Sequence, residues 1–193
     1  EQSPVTTQTF FVTPLGAQRF RLPVISLAIS EEHLFDYELG TYVAGIDFDT
    51  WRAAYPDALS GYSSNANFHR RGGEWEYPVH FEYLDPAKGL AAGAEISQNL
   101  GFRIHGEFSR AYPQKSIRLY ASRDYDISSS LDFPLFPGLK ASDGSTKIAS
   151  FKRLLLRNSG NDNQGTRLRD AYVQSVLAPL GIESQAYQPA IHF

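Results

Sequence analysis

Residues Gly101 to Ala121 read GFRIHGEFSRAYPQKSIRLYA, and the alternation inside this stretch decides the fold. Phe102 and Ile104 alternate with Arg103 and His105, a period of two that predicts a strand with one apolar face. Gly106 then lets the backbone leave the strand without a side-chain clash. Glu107 to Pro113 reads as a loop. Beyond it Ile117, Leu119 and Ala121 alternate with Ser116, Arg118 and Tyr120, which predicts a second strand, and Lys115 shares the parity of Ile117 and Leu119. A lysine at the mouth of a strand, on its apolar side, must snorkel to water or meet an anion, because burying an unpaired ammonium costs too much. His105 faces opposite to Ile104, which points it to solvent or a hydrogen bond rather than to a metal.

The neighbouring stretches supply partners for these two strands. Leu22 to Ile29 reads as a strand with Pro23 at its start, followed by a short helix from Ser30-Glu31-Glu32 through Leu34 and a turn over Asp36 to Gly40. In Trp75 to Leu84, Val79, Phe81 and Tyr83 oppose His80 and Glu82, a pattern that pairs with the Gly101 strand across a broad Lys88 to Asn99 connection. Phe151 to Asn158 returns to strand, and Pro189 to Phe193 carries a final strand pattern. Between them, Ile46 to Gly73 lacks periodicity and reads as an insertion loop. Its Asp47 and Asp49 lack the glycine and distal glutamate of a calcium loop and read as solvated. In Asp124 to Lys147 the apolar Phe133, Leu135 and Phe136 are placed to plug the edge of the core.

One segment has a convincing helical period. Leu168, Tyr172 and Val176 form a stripe with Val173 and Leu177 beside it, and Gly181 stands where a C-terminal cap belongs. The expected fold is therefore α+β: a mainly antiparallel sheet holding the Leu22, Val79, Phe102, Ile117 and Leu154 segments, with one principal helix, Leu168 to Ala178, packed on a face. Residues 1–19 read as a loosely attached linker or the end of a preceding module, and 20–193 as the domain.

Composition narrows the function classes. The 193 residues suit one domain, able to bury roughly 70% of its unfolded surface. A net charge of −3 gives no basic footprint for nucleic acid. The longest apolar runs are strand-sized, far short of the roughly 20 residues that span a bilayer. Cysteine is absent, which excludes disulfides, thiol catalysis and Cys-based zinc sites. Histidines 33, 69, 80, 105 and 192 have no i, i+4 spacing for zinc, so no metal ligands are assigned. No nucleophile elbow, P-loop or dinucleotide fingerprint occurs. Glu74, Glu76, Glu82 and Glu107 could serve a glycosidase, but sequence gives no separation between them. Eleven tyrosines and 13 phenylalanines in a Ser, Asn and Gln background, with Glu1 first and no methionine, suggest a processed or excised piece of an exported, extracellular or cell-surface bacterial protein.

Two blocks carry a resemblance. Gly106, then Ser109-Arg110-Ala111-Tyr112-Pro113-Gln114-Lys115-Ser116 and Arg118-Leu119, resembles the signature of the spore coat protein CotH family. Leu154 to Asp162, followed by Leu168-Arg169-Asp170-Ala171, is similar to a second element of that family. Leu22 to Leu27, Leu34-Phe35-Asp36 and Gly40 to Val43 form a weaker third match. The resemblance implies the N-terminal portion of an atypical, secreted protein kinase, with a sheet-rich lobe covering ATP and later acidic residues, beyond Phe193, holding magnesium. It further implies that the Gly106 to Pro113 loop covers phosphates, that Ser109 and Arg110 donate to them, and that Lys115 meets them. Asp162 or Asp170 would pair Lys115 or Arg110. The residues alone leave a second reading open, in which the two cations merely fasten the loop to Glu107, Asp162 or Asp170. The chain is then a non-catalytic extracellular module binding coat proteins, another protein or polysaccharide through exposed tyrosines.

Overall fold

The computed structural model describes residues 6–12, 14, 19–89 and 93–193. Its centre is a six-stranded sheet built from β1 (Val24–Ile29), β2 (Tyr77–Leu84), β3 (Ile96–His105), β4 (Ser116–Tyr120), β7 (Arg153–Leu156) and β8 (Ile191–His192), in the order β7-β4-β3-β2-β1-β8. Two further strands, β5 (Leu131–Asp132) and β6 (Ser150–Phe151), pair apart from it. All neighbours are antiparallel except β1 and β8, so every segment expected in the sheet is there.

Register follows from the alternation. Phe102 lies opposite Leu119 and Ile104 opposite Ile117, which stacks the apolar side chains of β3 and β4 on one face. Val79, Phe81 and Tyr83 of β2 and Ile25 of β1 extend that face. Leu131 and Leu135 cover it, with Phe133 and Phe136 beside them, as the plug reading anticipates. Each such side chain contributes about 1.5–3 kcal/mol by leaving water, so this layer supplies most of the driving force. A smaller cluster of Phe20, Val24 and Leu84, with Phe11 and Ile191 against it, fills the opposite side near β1. There the amide of Thr9 donates to the Glu82 carboxylate at 2.7 Å, so the described part of the N-terminal segment is fastened to the sheet.

Two expectations about helices need correction. The stretch read as an insertion loop contains a helix, α2 (Gly45–Ala54), longer than the one expected to be principal; a five-residue α1 (Glu31–Phe35) precedes it as anticipated. What holds α2 is distant in sequence. The buried Asn67 side chain accepts from the Asp47 amide at 3.1 Å and donates to the Tyr37 carbonyl at 2.9 Å. Arg70 then grips the Asp47 carboxylate with two nitrogens, at 2.7 and 2.8 Å. None of this leaves a periodic signal. The expected helix exists as α3 (Arg169–Leu177), but it is not packed on the sheet: Leu168 is 58% exposed, Tyr172 68% and Val176 46%. Its start is anchored by Asp162, which accepts from the Arg169 amide at 3.1 Å and the Thr166 hydroxyl at 2.8 Å. An apolar stripe tells which residues share a face, not what covers it.

Candidate functional site at the β3–β4 hairpin

The turn between β3 and β4 is built around a glycine and a buried arginine. Gly106 has φ of +118°, and a Cβ there would lie 2.3 Å from the Ser109 hydroxyl, so the turn needs glycine for both conformation and space. A 3-10 turn over Phe108–Ala111 follows and carries Arg110 inward. Arg110 is only 7% exposed. Its Nε donates to the Gly106 carbonyl at 2.7 Å, and its Nη1 donates to the carbonyls of Phe68 and Arg70 at 3.2 and 3.0 Å. The side chain thereby pins the hairpin to the segment that follows α2.

Lys115 is 5% exposed and lies on the apolar side of β4, as its parity requires. Its partners are not carboxylates. The ammonium donates to the carbonyls of Arg110 at 2.6 Å and Tyr112 at 3.0 Å, and sits 4.2 Å from the Phe68 ring centre and 5.0 Å from that of Tyr42. Carbonyl dipoles and ring faces thus take the place of the expected anion. Burial still pulls its pKa down to about 8. Asp162 and Asp170 pair elsewhere, Asp162 with Arg169 at 3.6 Å and Asp170 with Arg157. Thr166 and the Arg169 amide hold the Asp162 carboxyl below its ordinary range.

The structure also separates Arg110 from Lys115. Arg110 lines a cavity of about 250 Å³, whereas Lys115 does not. The cavity opens on the other side of the sheet, where Arg103, His105, Arg118 and Tyr120 alternate with the core residues. Arg70 and Arg71 come in from the α2 side, Arg70 stacked over Trp75 at 4.1 Å and Arg71 paired with Glu107 at 2.6 Å. Arg103 pairs with Glu76 at 2.8 Å and lies 4.1 Å from the Tyr120 ring centre. Arg118 meets His105, its Nη2 at 3.3 Å from Nε2. Burial, and then the positive charge of Arg118 and Arg110, lowers the His105 pKa, so the imidazole is neutral and accepts from Arg118. Sequence reading singled out Ser109, Arg110 and Lys115 and passed over Arg103 and Arg118. The signal was present: two arginines on the solvent parity of two strands that pair.

No group of three or more His, Asp or Glu side chains placed to hold a metal occurs among the described residues. Nor is any helix there long and apolar enough to cross a membrane.

Residues 102–193 match the family model described as CotH kinase protein. This part of the chain is similar to the CotH family. The match takes in the last four residues of β3, the turn that follows, β4 and the Leu154 to Ala171 block, while the Leu22 to Val43 stretch lies outside it. No curated protein and no solved structure matches the chain.

Proposed function

We propose that the chain is the nucleotide-binding portion of a CotH-like atypical protein kinase, exported to act outside the cell or at its surface on protein substrates. The observation that carries this reading is the family match over the β3–β4 hairpin, whose loop is built to hold one shape. ATP is the ligand, with magnesium bound mainly by its phosphates. Ser109 and Arg110 are the donors on the loop: the Ser109 hydroxyl stands over Gly106, and Arg110 borders the cationic cavity. Lys115 is a positioning residue in this arrangement. It holds the carbonyls of Arg110 and Tyr112 and so sets where the loop presents its donors.

Calorimetric titration of the protein with ATP and magnesium tests the proposal. Saturable binding, weakened about tenfold or more (about 1.4 kcal/mol) in Ser109→Ala with the fold intact, is expected. Wild-type protein that takes up no ATP at saturating magnesium refutes it.

A further inference from the structure

The cavity beside β3 and β4 carries more positive charge than its surroundings neutralise. Arg103 and Arg118 lie directly opposite each other across the ladder, an arrangement of like charges that costs stability. Arg103 has the Glu76 carboxylate and the Tyr120 ring to offset this. Among the described residues, Arg118 has only the neutral His105 ring as a side-chain hydrogen-bond partner. Arg110 adds a second guanidinium whose partners are all carbonyls. Among the described residues, neither Arg110 nor Arg118 has a carboxylate within ion-pair distance, although the chain as a whole is acidic at −3.

A phosphoryl group answers this arrangement in charge and shape. Carried on a side chain it bears about −1.5 to −2 charge near neutral pH, matching two unneutralised guanidiniums, and its oxygens suit their forked donors. The cavity, at about 250 Å³, is smaller than the roughly 300–1,000 Å³ typical of pockets that enclose a whole drug-sized ligand. It has room for a phosphoryl group and a few attached atoms. Arg118 also points to the side of β4 opposite Lys115, so the two cations serve different spaces.

We propose that this cavity is a binding site for a phosphoryl dianion, held by Arg118 and Arg110 with His105 and Tyr120 as walls. The dianion is presented either on a phosphorylated side chain or at the end of a nucleotide's phosphate chain. The site stands whether or not the hairpin loop covers ATP.

The test uses phenyl phosphate as probe, titrated by NMR or calorimetry into the wild-type protein, with sodium chloride matched for ionic strength. Saturable binding below roughly 10 mM is expected. It should weaken at least tenfold in Arg118→Gln and less in Arg118→Lys, which keeps the charge but loses the fork; Lys147→Gln should leave it unchanged. If Arg118→Gln does not fold, Arg118→Lys carries the comparison. Competition then separates the sources. Displacement of the probe by ATP assigns a nucleotide terminus, and displacement by a phosphoserine peptide but not by ATP assigns a phosphorylated side chain. Probe binding in a protein that takes up no ATP refutes the nucleotide reading and leaves the cavity assignment standing. Absence of saturable probe binding, or equal binding by wild type and a folded Arg118→Gln, overturns it.

Discussion

Lys115→Met isolates the physics of the buried ammonium, because methionine keeps the apolar stem and removes the charge. The carbonyls of Arg110 and Tyr112 then lose their donor. A buried acceptor left without a partner costs about 1–3 kcal/mol, so the pair costs about 2–6 kcal/mol. Loss of the ammonium from the Phe68 and Tyr42 rings adds about 1–2 kcal/mol. Relief of the ammonium's desolvation, worth several kcal/mol, works the other way. The expected net loss is about 2–4 kcal/mol, or roughly 5–15 °C in Tm for a domain of this size.

The pH dependence tells this account from one in which a carboxylate holds the lysine. Burial lowers the pKa from 10.5 to about 8. Between these values the unfolded chain binds more protons than the folded one, so wild-type stability rises with pH across that window. Full conversion at about 1.4 kcal/mol per pKa unit gives about 3 kcal/mol; the carbonyl and ring contacts favour the charged form and reduce this to about 1–2 kcal/mol. A carboxylate partner would raise the pKa and reverse the slope. Urea melts of both proteins from pH 7.5 to roughly 10.5 measure the difference, in which the other titrating groups cancel. A deficit in Lys115→Met that widens with pH is expected. A deficit under about 1 kcal/mol, or one that narrows with pH, refutes the reasoning.

The remaining predictions concern the hairpin, the helix, the core and His105. Gly106→Ala should cost about 2–4 kcal/mol, since it combines a strained φ with a Cβ driven against Ser109; a change below about 0.5 kcal/mol in a denaturant melt would show that the turn relaxes freely. Tyr172→Ala, which would cost about 3–5 kcal/mol at a core anchor, should change stability by under about 0.5 kcal/mol because the ring is exposed. Phe81→Ala, at a fully buried position, should cost about 3–5 kcal/mol in the same assay. His105 has a lowered pKa, so its contribution to stability is present above about pH 6.5 and is lost as pH falls through the lower folded value. NMR titration of the ring should place its midpoint below 6.5, the ordinary value, and an ordinary or raised midpoint in the free protein would contradict the cationic surroundings.

The parts of the fold that sequence revealed are those set by local period. Alternation in β3, β4 and β2 named the inward residues, and with them the pairing of β3 with β4 across the Gly106 loop and of β2 with β3 across a broader connection, whose last residues, Ile96 to Asn99, belong to β3 itself. α2 was illegible because its anchors are Asn67 and Arg70, about twenty residues downstream, and no window of helical length contains both ends of those contacts. The α3 stripe was legible as a stripe and misleading as burial. For the site, parity correctly put Lys115 on the apolar side, but the assumption that a buried cation needs an anion left out backbone carbonyls and ring faces as partners. Those partners belong to residues 42, 68, 110 and 112, brought together only by the fold.

The two sides of β4 explain why a single strand can hold cations with different roles. On the core side, beside the buried Ile117 and Leu119, the Lys115 ammonium is held by backbone carbonyls and ring faces, and its energy goes into the shape of the loop. On the open side, Arg118 meets a cavity and a neutral ring, so its charge remains available to a ligand. Arg110 connects the two. Its carbonyl accepts from Lys115 on one side while its guanidinium borders the cavity on the other, so displacement of the Lys115 ammonium would move the Arg110 backbone and with it a wall of the cavity. On this argument Lys115→Met affects phosphate binding only through the position of Arg110. Its effect should therefore be smaller than that of Arg118→Gln, even though it is the more destabilising change.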